Sequence, residues 1–211
     1  MLLSLGFTNI TLIDIAPKVV AVLKEKFLGN ENISIRCGDF FELEDKFDII
    51  IEQTFFCALP PQIREKYVWK MHQLLKPKGK LIGLLFNRTF EQGPPFGGNI
   101  EEYKNLFYGS FHQHKIENCI HSALPRANTE CWIEFEKNEH AVLNLYQFEG
   151  ITCMGCKKTI TNKFLELENV IQVSISSDFK LVLIVSKTEI DISILQETVS
   201  YEKHYTLKKI N

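Results

Sequence analysis

The sequence predicts an α/β protein in two parts: a doubly wound sheet within residues 1–140 and a βαββαβ unit over 141–211. Three observations predict this. Short apolar runs alternate with helix-period stretches in the first part, which is the pattern of strands crossing over through helices. Those runs are almost continuously apolar, as suits parallel strands covered on both faces. The polar run Lys137-Asn138-Glu139-His140 then separates them from a second, complete set of elements.

In the first part, Ile10-Thr11-Leu12-Ile13-Asp14-Ile15 reads as a strand ending in an acid. Pro17 suits the first turn of a helix running from Val19 to Phe27. Ile33 to Cys37 is the next strand, followed by Gly38-Asp39, and Phe47 to Glu52 is a third. A helix from Pro61 to Leu75 stops at the turn Lys76-Pro77-Lys78-Gly79, and Lys80 to Phe86 is a fourth strand. Residues 87–99 hold Gly93-Pro94-Pro95 and Gly97-Gly98 and read as a loop. Ile100 to Phe107 is a short helix, and Cys131 to Glu136 a further strand.

In the second part, strands at 142–152, 170–176, 181–187 and 204–210 alternate with helices at 155–167 and 192–199. Two strands flank the turn Ser177-Asp178. The order βαββαβ is the ferredoxin-like arrangement.

Composition bounds the function classes. The chain has 211 residues, 45% hydrophobic and 24% charged, with net charge -2. That is ordinary for a globular protein and provides no basic field for nucleic acid or an anionic membrane. The opening Met1-Leu2-Leu3-Ser4-Leu5 lacks a basic flank and a cleavage-like site, so it reads as no signal peptide. Of six Cys, four are isolated and only Cys153 and Cys156 are close. A chain this rich in core residues needs no disulfide staples, so the expectation is free thiols and a cytoplasmic location.

Cys153 and Cys156 stand where a strand turns into a helix, spaced so that both sulfurs can face one ion. A helix N-terminus favours thiolate, and soft thiolates select Cu(I), with Zn(II) and Hg(II) as alternatives. Two ligands suffice for a linear Cu(I) site open to transfer to a partner protein. The rival is a redox pair of thioredoxin type, but Trp before the first Cys and Pro between the two are lacking. Gly150, Thr152, Cys153 and Cys156 resemble the signature of heavy-metal-associated domains. That resemblance implies a metal module over 141–211, with Ile151 packing in the core where Met is usual. Tyr205 falls near the metal-flanking loop in that family, either closing over the site or serving the core.

Asp14 and Asp39 end successive strands, where carboxylates accept hydrogen bonds from ribose hydroxyls and an adenine amino group. Together with Gly38-Asp39-Phe40-Phe41, the stretch Thr54-Phe55-Phe56-Cys57-Ala58-Leu59-Pro60, Arg64, Tyr67, the run Leu74 to Gly79, Gly93-Pro94-Pro95-Phe96, Arg126, Glu130 and Trp132, they resemble the thiopurine S-methyltransferase family. The plant halide and thiol methyltransferases form one branch of it. The resemblance implies a Rossmann-like fold that transfers a methyl group from S-adenosylmethionine to a thiol, soft anion or metalloid. It places Asp14, Ile15, Asp39, Phe40 and Glu52 at the cofactor. It places Phe55, Phe56, Arg64 and Arg126 at the substrate. Core packing is the alternative for the two phenylalanines, and a structural ion pair for each arginine. Cys57 reads as a small buried residue, not a nucleophile, and His112, His114, His121 and Cys119 as a solvated segment, not a metal cluster.

Methyltransferases of this class open with a strand and a glycine-rich turn, and no Gly-x-Gly precedes Asp14. The sheet is therefore expected to lack its first strand, and the sequence to represent a truncated chain or one whose start lies upstream. Two readings follow. The preferred one is a methyltransferase with an appended soft-metal module. The alternative is a catalytically impaired remnant that binds or traffics Cu(I). A third, in which metal occupancy regulates the enzyme, joins the two.

Overall fold

A computed structural model describes residues 1–210 and divides the chain into two compact units, Met1–Asp45 and Lys46–Asn211. In the first unit, β1 (Ile10–Asp14) and β2 (Ile33–Cys37) form a two-stranded parallel sheet joined through α1 (Pro17–Lys26). The register sets Asp14 beside Cys37. Pro17 occupies the first turn of α1, where its missing N–H costs no helical bond. Lys24 and Lys26 lie in the last turn, where cations complement the helix dipole. Val20 and Leu43 are this unit's only buried apolar side chains, while Ile15, Val19, Val22 and Leu28 are exposed.

The second unit holds two four-stranded sheets. Strands β3 (Phe47–Gln53), β4 (Leu75–Phe86), β5 (Phe111–Asn118) and β6 (Glu130–Lys137) form the first, in the order β3-β4-β6-β5. β3 and β4 are parallel, and the other pairs antiparallel. Helices α2 (Arg64–Leu74) and α3 (Ile100–Leu106) complete this layer. Where one wound sheet was expected, each unit has its own: β1 pairs with β2 in the first, and β3 to β6 pair among themselves in the second.

Strands β7 (Val142–Glu149), β8 (Val170–Ile175), β9 (Leu181–Ser186) and β10 (Thr206–Ile210) form the second sheet. They alternate with α4 (Met154–Leu165) and α5 (Ile192–Thr198), and the order is β10-β7-β9-β8, antiparallel throughout. One core gathers Tyr146, Phe148, Val182 and Ile184 from the strands with Ile160, Phe164 and Leu195 from the helices. Leu183 and Val185 alternate with Val182 and Ile184, so they point to the opposite face, and they too are buried. That face packs on α2.

Helix α2 is therefore covered by both sheets. Tyr67, Val68, Met71 and Leu74 are buried, and so are Arg64, Glu65, Lys70 and His72. A helix buried on all sides shows no clean apolar stripe, which is what its mixed sequence displays.

Two local expectations are corrected and a third is refined. The helix expected from Pro61 begins at Arg64, with Pro61–Ile63 forming a separate 3-10 turn. The turn expected at Lys76–Gly79 lies inside β4: Leu75 already pairs with Phe47, and a register shift with Lys78 at φ +60° absorbs the irregularity. The segment of His112 and His114, expected to be solvated, is so, and it forms a strand that the sequence reading did not assign. It lies at a sheet edge with both histidines exposed, so it carries no apolar run for a reader to find.

Candidate functional site

Glu52 is the penultimate residue of β3 and is only 2% exposed. Its partner on β4 is Gly83, where an added Cβ would collide with the Glu52 carbonyl oxygen. One carboxylate oxygen accepts from the N–H groups of Phe55 and Phe56, both at 2.9 Å. The other accepts from the Tyr67 hydroxyl of α2 at 2.8 Å. Burial pushes the Glu52 carboxyl above the ordinary range, and these three donors oppose the shift. The carboxylate thus fixes the loop after β3 to the buried helix. That loop carries Thr54 at φ +65°, an unfavourable conformation for a β-branched residue.

The loop is closed from its other side. Phe96 N–H donates to the Cys57 carbonyl at 2.6 Å, joining Gly93-Pro94-Pro95-Phe96 to Thr54–Pro60. Phe56 is fully buried against Tyr67, Tyr103 and Phe107, whereas Phe55 keeps 37% of its surface. Phe56 therefore serves the core, and Phe55 is the one of the pair with surface to present. Cys57 is buried, and burial raises its thiol pKa, which suits a small core residue and not a nucleophile.

Arg64 opens α2 and is buried. Its guanidinium pairs with Glu102, donates to the Gly97 carbonyl and lies 4.9 Å from the centre of the Phe56 ring. Of the two roles weighed for it, the structural ion pair is the one seen. Arg126 is half-buried, 3.4 Å from the buried carboxylate of Glu130 and over the Phe86 ring. Arg126 therefore retains surface on which an anion can be met.

In the first unit, Asp14 accepts from Ala16 N–H at 2.7 Å and Asp39 from Phe41 N–H at 2.8 Å. Each uses one carboxylate oxygen to shape its turn and keeps a second oxygen to accept a ligand's hydroxyl or amino group. Both sit at the carboxyl ends of adjacent parallel strands, with Phe40 half-buried beside Asp39 and Ile15 exposed beside Asp14.

Cys153 caps α4: its sulfur accepts from Cys156 N–H at 3.1 Å, and the two Cα atoms are 5.2 Å apart. The two sulfurs are bonded to each other as a disulfide, where free thiolates were expected, and the other four Cys are free. The cap geometry explains the pairing, since it folds the first sulfur back over the helix start beside the second. Ile151 and Tyr205 both belong to the core of this part. Among the described residues, no group of three or more His, Cys, Asp or Glu is arranged to hold a metal. His112 and His114 gather no such cluster.

A family model described as thiopurine S-methyltransferase matches residues 7–147. The chain belongs to the thiopurine S-methyltransferase family. It is 37% identical over 100 residues to a probable thiol methyltransferase 2 of Arabidopsis thaliana, covering 44% of each chain. It is 31% identical over 96 residues to the thiopurine S-methyltransferase of Photobacterium profundum, covering 44% of this chain and 45% of that one. Thiocyanate methyltransferase 1 of Brassica oleracea matches at 35% over 71 residues, 32% of this chain and 31% of the relative. The chain thus spans less than half the length of these relatives.

Among solved structures, the PH0226 protein of Pyrococcus horikoshii superposes with a TM-score of 0.53 at 18% identity, covering 65% of this chain and 74% of that one. TehB of Haemophilus influenzae gives 0.52 at 18% identity, covering 64% and 52%. These likenesses establish a mixed α/β, methyltransferase-like fold. Residues 148–211 lie beyond the family match.

Two of the stretches on which the resemblance rests, Thr54–Pro60 and Gly93–Phe96, are brought together by the bond between Phe96 and Cys57. Sequence reasoning did not find the tie from Tyr67 to Glu52, because a tyrosine within a buried helix looks like core. Gly83 was a findable signal: a glycine inside an apolar strand marks a close approach of backbone or side chain.

Proposed function

We propose that the protein works as an S-adenosylmethionine-dependent methyltransferase acting on a thiol or soft anion. Family membership and the buried Glu52 anchor of the Thr54–Pro60 loop support this reading. When bound, S-adenosylmethionine would supply a sulfonium methyl group for transfer to the acceptor's sulfur or other soft atom, leaving the electron pair of the broken carbon–sulfur bond on the cofactor. Asp14 would hold ribose hydroxyls and Asp39, with Phe40, the adenine. Glu52 holds no proton for the reaction in this scheme. It fixes the loop on which Phe55 meets the acceptor. Arg126, not the buried Arg64 that pairs with Glu102 and Gly97, would attract an anionic acceptor. A thiolate needs little base assistance near neutral pH, so the protein's work is positioning and water exclusion.

Calorimetry of the gene's full product with S-adenosylmethionine tests the reading. Asp39→Ala should weaken binding at least about tenfold, the size of one charged hydrogen bond. A full-length product that takes up no S-adenosylmethionine and methylates neither a simple thiol nor thiocyanate sinks it.

A second reading concerns Cys153 and Cys156, whose sulfurs converge at a helix start within a strand order that suits a ferredoxin-like module. Reduced, the pair would take a soft cation such as Cu(I) as cargo for a partner protein. Stoichiometric Cu(I) binding after reduction, lost in the Cys153→Ser, Cys156→Ser double variant, is the expected result. No binding by the reduced protein overturns it.

A further inference from the structure

The Cys153–Cys156 disulfide is placed unlike a structural staple. It bridges a sequence separation of 3, and closing so short a loop removes less freedom from the unfolded chain than a longer loop would. The core of Tyr146, Phe148, Ile160 and Phe164 closes without it: Cys156 is half-buried at the margin of that core and Cys153 is exposed. The bond is also open to solvent. Thr152, Cys153, Met154 and Gly155 are all exposed, Met154 to 68%. A sulfur-bearing molecule can therefore reach Cys153 Sγ more readily than the half-buried Cys156.

The surroundings favour thiolate. Cys153 Sγ accepts from Cys156 N–H at 3.1 Å, at the start of the 12-residue helix α4. The first turn of that helix reads Met154-Gly155-Cys156-Lys157, with no acid among these residues, and Lys158 follows. Negative charge released on sulfur is thus met by the positive end of the helix dipole and not by a carboxylate.

We infer that Cys153 and Cys156 form a reversible dithiol–disulfide couple that exchanges with a small-molecule thiol. The external thiolate bonds to Cys153 Sγ, the Cys153–Cys156 bond breaks, and its electron pair leaves on Cys156 Sγ, which takes up a proton from water. A second external thiolate then attacks the external sulfur of this mixed disulfide. Cys153 leaves as the thiolate that the Cys156 N–H supports, and the two external thiols leave as their own disulfide. Two electrons have passed to the protein, and the external disulfide returns the pair to the oxidised form by the reverse steps. The exchange needs no metal. It adds a gate to the Cu(I) reading, since only the dithiol offers two thiolates to a soft cation.

Differential alkylation and peptide mapping of the whole chain test the couple, with circular dichroism verifying that the protein stays folded. Reduced glutathione should open the bond in the folded chain, and oxidised glutathione should re-form it. After reduction, oxidised glutathione should leave at least about tenfold more mixed disulfide on Cys153 in Cys156→Ser than in the native chain, where the neighbouring thiol competes at an effective concentration of order mM or higher. Cys153→Ser should collect less, on the half-buried Cys156. A bond that glutathione opens only in urea is a structural staple and overturns the proposal, as does a dithiol that oxidised glutathione does not close. Equal mixed disulfide in the native chain and Cys156→Ser overturns it too. Should Cys156→Ser not fold, opening and closing in the native chain decide. Exchange without Cu(I) uptake by the reduced chain supports the couple and removes the Cu(I) reading.

Discussion

Glu52 keeps a carboxylate where burial disfavours charge, and Tyr67 is one of only three donors that make this tolerable. Tyr67→Phe removes the hydroxyl without changing the ring, so Glu52 Oε2 is left buried and unpaired. The expected cost is about 1–3 kcal/mol, read as a lower urea midpoint at neutral pH. An unchanged midpoint would mean that this bond contributes nothing. His72 shows the opposite charge problem. It is buried with Nε2 at 3.0 Å from the Asn138 carbonyl, and desolvation lowers its pKa from 6.5 to about 4. The unfolded chain therefore binds a proton more readily than the folded one. Stability from this residue is fully present above pH 6.5 and is lost as pH falls toward about 4. His72→Gln keeps a donor for Asn138 and cannot titrate, so its midpoint should change less over that window than the native protein's. Equal acid slopes in the two proteins would assign the effect elsewhere.

At the level of elements, α2 decides whether residues 46–210 behave as one body. It touches β4 on one side and β7 and β9 on the other. Met71 is 2% exposed within it, and Met71→Ala should cost about 2–5 kcal/mol. The loss should be shared by both sheets, so far-ultraviolet circular dichroism and the fluorescence of Trp69 and Trp132 should shift by the same amount. Separate transitions would show that α2 does not couple the sheets. The same helix explains what could be read beforehand. Strands such as Phe47–Gln53 and Leu181–Ser186 declare themselves by apolar runs, and the six elements after Val142 appear in the expected order. β5 does not declare itself, because an edge strand carrying His112, His114 and Lys115 meets water. Among the candidate residues, the strand-end acids Asp14 and Asp39 of the first unit and the Thr54–Pro60 stretch of the second were legible in the sequence as types and positions. The burial of Glu65 was not, since it depends on β8, more than a hundred residues away in the chain (|i−j| = 109 to Ser174).

For the whole molecule, the two units differ in how they can resist opening. Met1–Asp45 has a two-stranded sheet, one α-helix, two short 3-10 turns and two buried apolar side chains. Two strands alone are marginal in water, and regions with little buried apolar surface open locally at low cost. Amides of β1 and β2 should therefore exchange with solvent at least about a hundredfold faster than those of β4, β6 and β9, a difference of ~3 kcal/mol in opening free energy. Hydrogen exchange by mass spectrometry reads this directly, and equal protection would show that the first unit is held as firmly as the second. The same measurement bears on the proposed cofactor site. A ligand held by Asp14 and Asp39 stabilises only the closed form of this unit, so at about one hundred times its dissociation constant it should slow opening there by ~2.7 kcal/mol. Adding S-adenosylmethionine should accordingly protect the β1 and β2 amides about a hundredfold and leave β9 little changed. Protection that appears in the second unit alone would remove Asp14 and Asp39 from the cofactor site while leaving the proposed methyl transfer open to test.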